Sequence, residues 1–224
     1  MIRNPLAIAI AALALAAGPA YAQKDIDKVN GSITAEAGQQ YGDLDTVNGS
    51  IRLHDGAQAE DAGTVNGGIK GGDDVRVDSL GTVNGSIRMG ERAQVRGEVE
   101  TVNGSIFFNT GSRVGGDIAS VNGAIGLVDT DLAGDIETVR GDITVGIGSH
   151  VKGGIHVDKP DNHGFNISLG KREPPRIVIG PNAVVEGPMV FEYPVKLYVH
   201  GTARVGKITG ATAIAFSTPT PPQD

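Results

Sequence analysis

A five-residue string recurs along this chain at nearly constant intervals. It stands at Val29-Asn30-Gly31-Ser32-Ile33, Val47-Asn48-Gly49-Ser50-Ile51, Val65-Asn66-Gly67-Gly68-Ile69 and Val83-Asn84-Gly85-Ser86-Ile87. Val102-Asn103-Gly104-Ser105-Ile106, Val121-Asn122-Gly123-Ala124-Ile125 and the drifted Val139-Arg140-Gly141-Asp142-Ile143 follow. The asparagines lie 18, 18, 18, 19 and 19 residues apart. A fixed period of this length marks a repeat architecture, in which one unit cannot bury its own apolar face and stacked units share a continuous core.

A period of six lies inside the eighteen. Val47, Leu53, Ala59, Val65, Gly71, Val77, Val83, Met89 and Val95 are spaced six apart, and from Leu53 on each is preceded two residues earlier by another small or apolar residue such as Ile51, Ala57, Ile69 or Val75. Apolar, any, apolar is a short strand with its middle side chain facing out. The other three residues of each hexad make a corner, and Asn-Gly is turn chemistry because both residues tolerate positive φ. Three strands and three corners per repeat predict an all-β fold: a single-stranded parallel β-helix, or triangular β-solenoid, of about nine coils stacked about 4.8 Å apart. An amphipathic helix would need apolar spacing near 3.6.

Composition agrees. Glycine supplies 34 of the 224 residues, without the strict triplet period of collagen. So much glycine weakens helices by about 1 kcal/mol per residue. With 5 Phe, 4 Tyr and no Trp, the core falls to Val, Ile, Leu and Ala. A net charge of −7 argues against a nucleic-acid partner, which needs a basic footprint. There is no cysteine, hence no disulfide.

Residues 1–22 read as a secretory signal peptide: Arg3, an apolar run from Leu6 to Ala17, and Ala20-Tyr21-Ala22 as a small-x-small cleavage site. The run is too short to span a membrane, and no later stretch approaches the length required. The expected location is therefore outside the cytoplasm, periplasmic or extracellular. Regular solenoid is expected over 23–158, a loop insertion over 159–176, solenoid again over 177–210, and a Pro-rich tail over 211–224, disordered by composition from Thr218 to Asp224.

Two bacterial families share such strings. Arg113-Val114-Gly115-Gly116-Asp117-Ile118 and Ile179-Gly180-Pro181-Asn182-Ala183-Val184-Val185-Glu186-Gly187 resemble bactofilins, polymer-forming β-helix proteins. The Val-Asn-Gly-Ser-Ile copies also look like the putative-adhesin β-solenoid family. Together the resemblance covers roughly residues 27–205. It implies end-to-end polymerisation without nucleotide and a right-handed coil, although hexads also mark left-handed acyltransferase helices, so the hand is left open. Bactofilins are typically cytoplasmic, and the export signal departs from them.

Candidate chemistry is sparse. His163, in the loop, is the position an acyltransferase histidine would take, without an identifiable partner group. Of His54, His150, His156, His163 and His200, no pair has spacing suited to zinc. Corner acids such as Asp55, Asp73, Asp74 and Glu91 read as turn formers rather than a sugar-cleaving cluster. A ladder of Thr46, Thr64, Thr82, Thr101 and Thr138, with Ser120, reads as β-branched residues at an outward strand position. The Asn-x-Ser matches read as corner geometry rather than glycosylation sites. The expectation is no catalytic residue, no metal and no cofactor.

Two surfaces stand out. Arg52, Lys70 and Arg88 stack at an outward position and could hold an anionic cell-envelope polymer, although pairing with the acids at the next corner is the favoured reading. Phe165, Phe191, Tyr193 and Tyr198 concentrate the scarce aromatics toward the C-terminal coils, where filling and capping of the last coils is favoured over a binding surface. The function expected is an exported, non-enzymatic scaffold or adhesin-like protein forming a homopolymer through its terminal coils. The alternative is a monomeric cell-envelope binding protein using the aromatic coils and loop 159–176. A solenoid enzyme comes third.

Overall fold

A computed structural model describes residues 24–159 and 173–222. Residues 1–22, read above as a signal peptide, lie outside the described residues, as does most of the insertion, and with it His163 and Phe165. Within them the chain is all-β, with no helix, wound as a parallel solenoid of about nine turns. Among the described residues no helix is long and apolar enough to cross a membrane.

Three parallel sheets form the faces of the coil. Face A has ten strands, from Lys24–Asn30 and Tyr41–Asn48 to Met189–Phe191 and Ile208–Thr209. Face B has ten, from Ile33–Ala35 to Ala213–Phe216. Face C has seven, from Arg76–Val77 to Arg204–Val205, preceded by the bridges Gln40–Gln58 and Gln58–Arg76. Each residue pairs with its counterpart one repeat on: Ile51 with Ile69, Ile69 with Ile87, Ile87 with Ile106. The insertion leaves after Ile155–Val157 and returns at Arg176–Ile179, so Ile143 pairs with Ile177 and the stack continues.

The core is a column of like residues. Face B contributes Ile33, Ile51, Ile69, Ile87, Ile106, Ile125, Ile143 and Ile177, each at most 1% exposed. Beside them run Leu53, Gly71, Met89, Phe108 and Leu127. Volumes compensate along this second row: a side chain on Gly71 would strike the end of Met89, which occupies that space. Packing to crystal-like density requires such pairing of large with small.

On faces B and C the hexad phase is as expected: Ile51 and Leu53, Ala57 and Ala59, and Val75 and Val77 all point inward. Face A corrects it. There the inward pairs are Ala62/Thr64, Leu80/Thr82, Val99/Thr101 and Ile118/Ser120, one residue earlier than the hexads place them. Because side chains alternate with period two, that slip turns the whole strand over. The threonine ladder is therefore inside, and the valines of Val-Asn-Gly are outside.

The corner between faces A and B explains the slip. In the earlier coils the buried threonine hydroxyl donates to the carbonyl of the glycine one coil before it: Thr64 to Gly49 at 2.8 Å, Thr82 to Gly67 at 2.9 Å, Thr101 to Gly85 at 3.1 Å. Thr138 instead accepts from the Gly141 N–H. The glycine N–H in turn donates to the asparagine carbonyl of the next coil, as Gly67 does to Asn84 at 3.2 Å. The asparagine side chains stack outside as an amide ladder, Asn48 on Asn30, Asn66 on Asn48, Asn84 on Asn66, at 2.9–3.1 Å. The corner thus satisfies its own polar groups coil by coil, as buried backbone demands.

These glycines also serve a different purpose from the one expected. Only Gly31, in the first coil, has positive φ. At Gly49, Gly67, Gly85, Gly104, Gly123 and Gly141 a Cβ would be driven into the carbonyl of the glycine below. Close stacking, rather than an unusual dihedral, excludes every other residue. The end of the chain is a further correction. Ala213–Phe216 forms a strand beyond residue 210, and the tail after it is tied down, since Arg176 Nη2 donates to the Pro222 carbonyl.

Candidate functional site

Turning face A over creates the main surface feature. Val47, Val65, Val83, Val102 and Val121 are 39–41% exposed and Val29 is 68% exposed, a continuous apolar ridge along the coil axis that ends at the half-buried Val139. The next two coils carry Asp158 and Glu192 in the same register, since Val157 pairs with Thr138 and Phe191 with Val157. Face A therefore folds without valine at this position. The ridge is not a requirement of the coil.

Beside it runs a second outward column: Asp27, Asp45, Gly63, Gly81, Glu100, Ala119, Glu137. The two glycines and the alanine lower this column between its acids and so form a floor beside the ridge. The resulting open groove holds about 940 Å³ and extends from Asp27 to Asp158. Ladder positions that read as core in the hexad phase are in fact its lining. The acids are the signal that could have shown this, because a column of Asp45, Glu100 and Glu137 cannot be buried without partners.

The groove is electronegative. Its lining holds Asp27, Asp45, Glu100, Glu137 and Asp158 against a single cation, Lys28, whose amine is turned to the Ser32 carbonyl at 2.7 Å. The Asp45 carboxyl is held above its ordinary value, first by partial burial and then by the like charges of Asp27, Asp43 and Asp61. Corner acids elsewhere are occupied differently. Asp55 and Asp73 accept the backbone N–H of Asp73 and Glu91 one coil on, and Asp74 is held below its usual value by the Arg92 guanidinium that bonds it.

Arg52, Lys70 and Arg88 do stack in one outward column of face B. Arg88 lies over the Phe107 ring at 5.2 Å, so one of the three is held against its neighbour. The aromatic positions are not brought together on the surface. Phe191 is inside the core, and Tyr193 packs partly buried against it. Tyr198 points outward but is buried in a small cluster with Val178 and Phe216, under Arg176 at 4.9 Å. His200 meets Phe216 edge-on at 5.0 Å, and His150 bonds Glu186 at 2.7 Å. Among the described residues no group of three or more His, Asp or Glu is arranged to hold a metal ion. No family model, characterised protein or solved structure matches this chain.

Proposed function

We propose that this chain is an exported, non-enzymatic scaffold whose copies associate end to end through the N-terminal coil. The observation that carries this reading is the first strand, Lys24–Asn30. Its seven residues pair with Tyr41–Asn48 on one side and with nothing described on the other, and all but Ile26 are exposed. An edge of unpaired N–H and C=O groups is a template for another strand. At the far end Arg204–Val205, Ile208–Thr209 and Ala213–Phe216 close their sheets with open edges of their own. A head-to-tail contact between such ends continues the coil and does not close, so it extends into a filament.

The parallel solenoid is the architecture that the bactofilin resemblance implies, and the signal-like sequence of residues 1–22 supports a location outside the cytoplasm. Polymerisation would then add coils without any chemical step. Fusing a bulky folded domain directly before Lys24 is expected to abolish assembly, read by sedimentation of the fused and unfused chains. Equal assembly by both would overturn the reading.

A further inference from the structure

We propose that the groove along face A binds one extended polypeptide segment whose side chains alternate between apolar and cationic. This surface lies on the coil flank and does not depend on whether the ends associate.

The ridge supplies apolar contact that the fold itself does not use, as Asp158 and Glu192 show at the equivalent positions. The floor is open at Gly81, where an added Cβ would meet nothing within 4 Å, while the Asp45 carboxylate lies over Gly63. The acids that face it, Asp27, Asp45, Glu100 and Glu137, form no ion pair among the described residues, so their charge is available to a cationic partner.

Dimensions favour a single chain over a second copy. Seven rungs at about 4.8 Å give a strip about 29 Å long, and the two columns lie about 7 Å apart. That strip amounts to a few hundred Å², well under the roughly 800 Å² per partner of a stable protein interface. Two copies of the same acidic groove would also repel. An extended strand set on edge presents one row of side chains to the ridge and the other to the acid column. Asp45 and Glu100 are three rungs apart, about 14 Å, which is also the span of four residues in an extended chain. Cations on the same side of the segment, four residues apart, would meet both.

The chain expressed from Met1 and purified as the cell processes it would be titrated with a fluorescent short peptide alternating valine and lysine. Saturable binding is expected, with matching valine–glutamate and serine–lysine peptides weaker by about tenfold or more. Gly81→Phe, which fills the floor, and Val83→Ser, which interrupts the ridge, are each expected to weaken the valine–lysine peptide by about tenfold or more, while Lys70→Ala on face B leaves it unchanged. Sedimentation of the unliganded variants reports their shape, and Val83→Ser alters only an exposed side chain. Absence of saturable binding, or binding indifferent to both groove variants, would overturn the proposal. So would a concentration-dependent dimer abolished by Gly81→Phe, which would assign the groove to a second copy.

Discussion

Replacing Gly104 by alanine is expected to destabilise the solenoid by about 3 kcal/mol or more, the upper range for forcing extra volume into a packed interior. The new methyl would collide with the Gly85 carbonyl, and that oxygen is itself fixed by the Thr101 hydroxyl at 3.1 Å. Neither coil can move away without parting the amide ladder, where Asn103 donates to Asn84 at 3.0 Å. Gly38 supplies the contrast. It has φ of 67° and open space around its Cα, so alanine there meets only dihedral strain of about 1–2 kcal/mol. Urea unfolding of the two variants separates the accounts. A Gly104 variant no worse than the Gly38 variant would mean that stacking distance is not what the repeat's glycine protects.

The second large effect is expected at Phe108. Its ring is fully buried on face B, with Met89 on the coil before and Leu127 on the coil after. Phe108→Ala removes the largest side chain of the fully buried core and leaves a cavity between stacked coils, a change that costs about 3–5 kcal/mol. Met89 is flexible and already reaches into the space above Gly71, so it is the neighbour able to relax toward the gap. Phe108→Leu retains most of the volume and is expected to cost well under half as much. Equal losses for the two variants would show that the ring, rather than its volume, is what the column requires.

The repeat made the architecture readable. Identical residues at Ile51, Ile69, Ile87 and Ile106 announce a ladder, and the structure pairs them in that register. The orientation of face A was harder to read. The hexads continue through Val47, Val65 and Val83 without a break, and a valine every six residues looks like core. A competing column, Leu44, Ala62, Leu80, Val99, Ile118 and Ile136, is just as apolar and sits one residue out of phase with its acidic neighbours. Reading the charges at Asp45, Glu100 and Glu137 before the hydrophobes would have settled the choice, since burial of unpaired carboxylates outweighs burial of a valine.

The groove followed from that turn, so it was hidden for the same reason. The glycine at each Asn-Gly corner was legible as a corner but not as a stacking contact, because the contact is with the coil below and has no trace in local sequence. The basic column of Arg52, Lys70 and Arg88 was legible because faces B and C keep the hexad phase. The C-terminal aromatics were legible as a cluster in sequence and, by the favoured reading, as filling and capping of the last coils; the particular rows were not legible. Phe191 belongs to the inward row of face A and Tyr198 to an outward row covered near Phe216.

The account turns on open coil ends that recruit further copies, and electron microscopy of the purified, untagged chain tests it most directly. Filaments one solenoid wide, lengthening with protein concentration, are the predicted result. Discrete rods with the length of a single solenoid, unchanged at every concentration, would contradict it.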